Sequence, residues 1–586
     1  VAKPQPFANQ YAGILSFLYI FFHQSIIFIM AEVILPGTYI TVRDEGLISA
    51  GRVSTGNIGI VGTASKGPVN EVVTLGSLSE AREIFGDNDD WLGGSNNELT
   101  LIRALEQVYN NGGRAVYAVR TAAGTPAKSA YQTKDAGNAN LTKLQAKTPG
   151  SWGDLIEIEI SATTENALVE EVLPGNATNL RRTKVVNSAL NSIQLKQLSS
   201  GLTRNYDKIY AGSVTNSKPE VRINTGTGAL TFTTLASHAP APADTILARY
   251  EVPAAECRKV EISYKGFKER YIVADAAHLA QQVNQRSVLV SASVHDTDFY
   301  AKAPVVTEKV RFGHSDAAGH TPGSNGEAAG APEYQVSLAS LKDPIINIVL
   351  LAGQSSANAG MVTALLGHIN ETSEIKRERI ALIGSSVTDS ADTIIAEMPP
   401  AGDRLIYVGP GIKLPTGRTM PGAYTAAAVA GLLSSLPVQA SPTNKVINVP
   451  GLNKEFNSSN LEKLVQKNVL TIEKRDGFRI VKGITTATNS AWHQVTTRRI
   501  VDYAIYGVRS ACNPYIGKLN NDRVRGAMKV TLDAFLTRMV EDEALVGYEL
   551  DVTATRAQEI AGEVKVTMTL KPTFSIDFIM VTMYLS

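Results

Sequence analysis

Continuous apolar runs with no polar alternation are the feature that most limits the fold of this chain. INIVLLAG (346–353) and RIALIGSS (379–386) are of this kind, and Ile58–Val61 and LIYVGPG (405–411) follow the same habit. A strand exposed on one face alternates apolar and polar residues. An unbroken run ending in glycine fits a parallel strand buried on both faces. Between these runs lie helical patterns. Leu101, Ala104, Leu105 and Val108 share one face of a helix predicted over 97–111, which the Asn110-Asn111-Gly112-Gly113 run stops. MVTALLGHINE (361–371) and the Ala-rich PGAYTAAAVAGLLSSLP (421–437) are two more. Strand and helix in alternation predict an α/β unit at 51–122 that resumes at 338.

From about 123 to 335 Thr, Ser, Asn, Ala and Gly become frequent and helical periodicity fades. LIEIEI (155–160), KVEISY (259–264) and RYIVAD (270–275) read as strands, with one helix at 278–286 and a Gly/Ala/Ser loop over 313–332. This span is expected to be a β-rich insertion with an exposed surface. The last hundred residues read as a strand (477–486), two helices (495–512 and 521–540), two alternating strands (547–554 and 563–572) and a β-like terminus, FSIDFIMVTMYLS. The predicted class is therefore multidomain α/β and α+β: an α/β core with mixed sheets, a β-rich insertion, and extended strand arms at both ends.

The 586 residues are enough for several domains. Lys plus Arg (56) balance Asp plus Glu (55), so overall charge points neither to nucleic acid nor to an acidic membrane. Cys257 and Cys512 alone build neither a disulfide framework nor a thiolate metal site. Residues 11–30, YAGILSFLYIFFHQSIIFIM, have the length of a membrane span but are interrupted by His23 and Gln24, and Lys3 is the only upstream cation. The preferred reading is that 1–29 are an extension outside the fold, which is expected to begin at Met30; a membrane anchor is the alternative. After Pro36-Gly37, TYITVRD alternates as a strand.

GIVGTASKGP (59–68) suggests a phosphate loop, but Lys66 precedes Gly67 and Pro68 removes an amide donor, so a tight strand-to-loop turn is expected. Asp87, Asp89 and Glu98 fit three positions of a calcium loop, yet Trp91 and Leu92 occupy places for an oxygen ligand and the turn glycine. The eight histidines form no metal pattern, with His314 and His320 expected in solvent. Glu157 and Glu159 read as a wet sheet face. No His-Glu-x-x-His or Gly-x-Ser-x-Gly motif is present. Arg498, Arg499, Arg523, Arg525, Lys529 and Arg538 gather on two helices without interleaved aromatics, which suits a charged or solvated face better than a nucleic-acid platform.

Several stretches together resemble contractile tail sheath proteins: MAEVILPGTYITVRDEG with GNIGIVGTASKGPVNEVVTLGSLSEAREIFG, ALEQVYNNGGRAVYAVR, TPGSWGDLIEIEI (148–160, with Asp154 where Asn is common), PGAYTAAAVAGLLSSLPVQASPTNKVINVPGL (421–452), and 496–552 with EVKVTMTLKPTFSIDFIMVTMYL. The likeness covers 30–122 and most of 338–586. It implies a structural subunit, not an enzyme, without cofactor, metal, nucleic acid or small-molecule substrate. Its implied partners are other copies in stacked hexameric rings, an inner tube protein, and baseplate and terminal cap proteins. Assembly would take place in the bacterial cytoplasm, as part of a phage tail or phage-like particle.

The implied organisation is an N-terminal arm (30–50), a sheath domain in two parts (51–122 and 338–476), a surface insertion (123–337), a tube-facing core domain (477–574) and a C-terminal arm (575–586). Strand addition between subunits would use Thr38, Tyr39, Ile40, Thr41 and Val42 at one end. At the other it would use Phe578, Ile579, Met580, Val581 and Thr582. Arg523, Arg525, Lys529 and Arg538 are the tube-facing candidates. The competing expectations are an α/β enzyme that binds a phosphorylated ligand and a membrane-anchored surface protein.

Overall fold

The computed structural model describes residues 54–87 and 99–584, apart from 216, 235–237, 296–301, 314–318 and 389. The predicted N-terminal strand, the apolar stretch 11–30 and most of the calcium-like loop lie outside these residues. The described residues belong to one compact unit.

The apolar runs do form a parallel sheet. Six parallel strands, in the spatial order Val116–Arg120, Ile58–Gly62, Ile348–Ser355, Ile380–Gly384, Leu405–Gly409 and Leu470–Lys474, make its centre. Antiparallel strands close both sides: Val72–Leu75 at one edge, Phe478–Ile480 and then Val446–Ile447 at the other. Ile58 sits between Val116 and Ile348 in register, which joins the chain before the insertion to the chain after it. Every residue of Ile58–Gly62, Ile380–Gly384 and Leu405–Gly409 is buried, as the unbroken runs require.

One face is covered by helices Leu101–Asn110 and Gly422–Ser435, the other by Ala331–Ser340 and Ala359–Glu374. The Ala-rich helix lies flush on the sheet. Gly431 lets it approach Leu101–Asn110 so closely that an added Cβ would stand 2.2 Å from Val108 O.

Residues 130–321 build three further sheets: a six-stranded one from 167 to 252, and two of four strands that share a core of Trp152, Ile158, Val260 and Tyr271. Glu157 does face solvent, where hydrogen bonds from Lys309 and Arg311 hold its carboxyl below the ordinary range. The loop read over 313–332 is more ordered than its composition suggests. His320–Thr321 pairs with Ala130–Lys134, and His320 stacks edge-on against Tyr131 at 5.0 Å rather than standing free in water. Ser324 and Ala127 exchange backbone hydrogen bonds, so the two chain crossings between sheet and insertion form a short ribbon.

The TPGSWGD stretch is the seat of the insertion. Gly150 packs so tightly that an added Cβ would lie 1.9 Å from Ser65 O. Trp152 is buried, donates to Thr148 O (3.1 Å) and meets Tyr264 edge-on at 5.3 Å. The Lys66 ammonium lies 4.7 Å from the Trp152 ring and 5.5 Å from Tyr264, and donates to Glu83 O at 2.6 Å. Arg120, fully buried at the end of a core strand, donates to Gly67 O (2.8 Å) and Pro149 O (2.6 Å).

Trp152→Ala is expected to cost ~3–5 kcal/mol. Hydrogen exchange should then speed up first at 65–67 and 148–156, while the strands at 348–355 and 380–384 keep their protection.

Candidate functional site: the C-terminal helices, ribbon and chain end

Two positions test the ligand-binding alternative. In open α/β sheets a ligand sits beyond the carboxyl ends of the parallel strands. Beyond Ile380–Gly384 that place is filled by the chain itself: a Cβ on Gly384 would stand 1.9 Å from Gly422 C, and Gly422 N donates to Ser385 O at 2.8 Å. The glycine loop after Ile58–Gly62 is occupied by the insertion, with Gly67 N donating to Thr148 Oγ1 (3.2 Å) and Lys66 in its aromatic pair. Among the described residues no group of three or more His, Cys, Asp or Glu is placed to hold a metal ion, and no helix is long and apolar enough to cross a membrane.

The C-terminal region is built on helices Val495–Cys512 and Asp522–Glu541. The second starts at Asn521, whose side chain accepts from Val524 N at 3.0 Å. Its inner face, Leu532, Phe535, Leu536 and Met539, packs on Ile500 and Ala504. Gly507 makes room for Phe535, since any Cβ there would lie 1.9 Å from Phe535 Cζ. Over this pair lies an antiparallel ribbon, Leu545–Thr553 with Lys565–Pro572. Tyr548, Leu550 and Leu570 face the helices, and the Tyr548 hydroxyl donates to Asp533 Oδ1 at 2.6 Å. The ribbon has two strands only, and among the described residues nothing pairs with either outer edge.

The basic residues divide by direction. Arg498 and Arg499 turn inward and join this region to the parallel sheet, contrary to the charged face expected of them. Arg498 pairs with Asp403 (2.8 Å) and Asp502 (2.7 Å), and Asp502 with Arg404 (2.9 Å). Arg499 donates to Leu433 O (2.8 Å) and Leu436 O (3.0 Å) at the end of the Ala-rich helix; burial pushes its pKa down to about 10. Arg509 grips Glu378 with both terminal nitrogens. Burial would raise the Glu378 carboxyl, but the hydrogen bonds from Arg509 outweigh it and the net shift is downward. Arg525 has a side chain only 9% exposed and binds Asp522 and Glu559, so it is an internal tie. Of the four surface candidates, Arg523, Lys529 and Arg538 remain exposed. Lys529 approaches Asp551 on the ribbon at 3.6 Å.

The chain end departs from its β-like sequence. Residues 573–584 pair with no strand of their own subunit. Phe578, Ile579, Met580, Val581 and Thr582 are all exposed, as are Phe574, Ile576, Met583 and Tyr584, with Ile576 at 79% and Met580 at 95%. Thr38, Tyr39, Ile40, Thr41 and Val42 lie outside the described residues. Sequence reasoning missed Lys482 and Gln494, which hold the base of this end: Gln494 Nε2 donates to Asp577 Oδ2 (3.2 Å) and Lys482 Nζ stands 3.4 Å from the same oxygen. A signal was present in the alternation of Thr573, Ser575 and Asp577 with Phe574, Ile576 and Phe578.

Comparison with known proteins gives this arrangement its family. The model of the phage tail sheath protein central domain matches residues 327–486, and that of the phage tail sheath C-terminal domain matches 487–586. Residues 327–586 belong to the phage tail sheath family. It is similar to the tail sheath protein of Bacillus phage SP01, with 21% identity over 568 residues covering 88% of this chain and 90% of the relative. Among solved structures, the sheath tail protein of Desulfitobacterium hafniense shares its fold at a TM-score of 0.54 and 13% identity, over 92% of this chain and all of that one. That of Listeria innocua does so at 0.54 and 11%, over 89% and 96%. As a member of this family the chain is a structural subunit of a contractile sheath.

The Arg509–Glu378 grip sets a pH expectation. A carboxyl whose folded pKa is lowered contributes stability that is complete above its ordinary value of 4.5 and is lost as pH falls through the folded value. Glu378→Gln should cost about 1–3 kcal/mol at neutral pH. It should also flatten the fall of the melting temperature between neutral pH and the acid range, as followed by calorimetry.

Proposed function

We propose that this sheath subunit polymerises as stacked hexameric rings around an inner tube, linked by strands exchanged between neighbours, and that contraction of the polymer drives the tube through a target envelope. The observation that carries the reading is the pairing of two unfinished elements in one subunit: a two-stranded ribbon with open edges, and an extended end whose apolar side chains face water. A two-stranded ribbon is marginal alone, and an exposed edge invites another strand. An apolar extended segment with nothing over it is the matching donor. Residues 575–586 would add to the ribbon of a neighbour, and Thr38–Val42 would add from the other end. Contacts of this head-to-tail kind are heterologous and generate helices or rings.

In this reading 51–122 and 338–476 form the sheath domain, 123–337 the outward insertion, and 477–574 the tube-facing domain. Arg523, Lys529 and Arg538 would meet the tube protein; Arg525, engaged with Asp522 and Glu559, is withdrawn from that set. Baseplate and cap proteins would bind the ends of the polymer. Contraction would be a switch between two packings of rigid subunits joined by the exchanged strands, with energy stored when the extended form assembles. No catalytic step is required of the subunit, and assembly would take place in the bacterial cytoplasm.

Negative-stain microscopy of the purified chain, alone and with its tube subunit, should reveal regular tubes. Deleting 575–586 should leave a folded monomer that forms none. Normal sheaths from the truncated chain would refute the strand-exchange reading.

A further inference from the structure

We propose that Asp577, held by Lys482 and Gln494, is an anchor that divides the C-terminal segment into a half fixed to its own subunit, 573–578, and a half given to a neighbour, 579–584. The proposal rests on the strand-exchange reading above and refines it.

Two independent observations meet at the same boundary. The first is the contact pattern. Thr573 N donates to Ala544 O at 3.1 Å. Ser575 N donates to Gln494 Oε1 at 3.2 Å, and Gln494 Nε2 donates back to Ser575 O at 3.4 Å. Gln494 Nε2 and Lys482 Nζ then converge on Asp577 Oδ2, at 3.2 and 3.4 Å. The Lys482 ammonium also lies 5.1 Å from the Phe578 ring. The Lys482 and Asp577 side chains are 17% and 13% exposed, so this pair is largely shielded from water. Among the described residues no tie of this kind follows Phe578, and 579–584 are exposed.

The second observation is the sequence pattern. From 573 to 578 the residues alternate: Thr573, Ser575 and Asp577 are half-buried, while Phe574, Ile576 and Phe578 are exposed. A strand with one apolar face needs one cover. From 579 the alternation ends, and Ile579, Met580, Val581, Met583 and Tyr584 place apolar side chains on both faces. Such a strand is stable only between two covers, which its own subunit does not supply. Its apolar side turned outward, the first half presents to a neighbour the face that continues into the second. The anchor is also shared: Lys482 comes from the central family domain, Gln494 and Asp577 from the C-terminal one. It therefore fixes the direction in which the donated strand leaves, and through a period-two register decides which side chains face which way in the neighbour.

The experiment uses the full chain, with assembly followed by light scattering and checked by microscopy. Asp577→Asn should keep the wild-type melting temperature but slow assembly about fivefold, the scale of a single ion pair. The exchange Lys482→Asp with Asp577→Lys should restore most of the rate. Hydrogen exchange on the unassembled subunit should find the Ser575 amide protected, and Gln494→Ala should release it. If Asp577→Asn assembles at the wild-type rate, or Ser575 exchanges freely in the wild type, the anchor is wrong. Deleting 579–586 separates the two ideas: loss of assembly there with a normal Asp577→Asn rate overturns the anchor alone, whereas normal assembly of the deletion overturns strand exchange itself.

Discussion

A guanidinium buried without a carboxylate must find its partners among backbone carbonyls, and this chain uses that requirement to join its parts. Arg120, Arg379 and Arg499 are buried, and among the described residues none has an acidic partner. Arg120 ties the loop after the first core strand to the TPGSWGD turn through Gly67 O and Pro149 O. Arg499 ties the end of the Ala-rich helix to the C-terminal helices through Leu433 O and Leu436 O. Arg379 reaches Leu341 O and the His368 ring behind the sheet. Burial lowers each to about 10, so all three stay charged at neutral pH. Arg379 uses the whole planar fork, with Nε, Nη1 and Nη2 each on a carbonyl, a geometry lysine lacks, whereas Arg120 makes both of its bonds through Nη1. Both the insertion and the C-terminal region are therefore seated on the sheet by groups that tolerate little displacement.

This rigidity gives the open elements their meaning. The ribbon has open edges, and the chain end is a continuous run of exposed apolar residues. A subunit that deformed readily could cover its own apolar segment. One held by buried clamps is less able to do so, and in the described residues the segment stays exposed.

The parallel strands were legible because burial on both faces leaves no choice but an unbroken apolar run. Ile58–Val61 and 379–386 announce themselves in this way. Helix 495–512 was equally plain, but the direction of its arginines was not. Arg499 falls one turn after Val495 and beside Ile500, on the buried stripe, and that position, rather than its charge, decided its fate. The insertion was legible as β-rich, yet its clamp was not. Arg120 reads as the end of a strand, and only the distant Pro149 carbonyl reveals its function. The terminus had the composition of a strand without being one in the isolated subunit. Strand propensity states what a segment can pair with, and the partner is a property of the assembly.

The close approach of Gly384 to Gly422 has a wider consequence. Sheets of this topology commonly serve as platforms for small-molecule chemistry, and the residues that would line such a platform here are pressed against a neighbouring helix with no room for a methyl group. Sealed by two glycines, the place beyond this strand has no room to admit a guest. Opening a cleft here would require prising that helix away from the strand end, and with it the packing that holds the Ala-rich helix on the sheet.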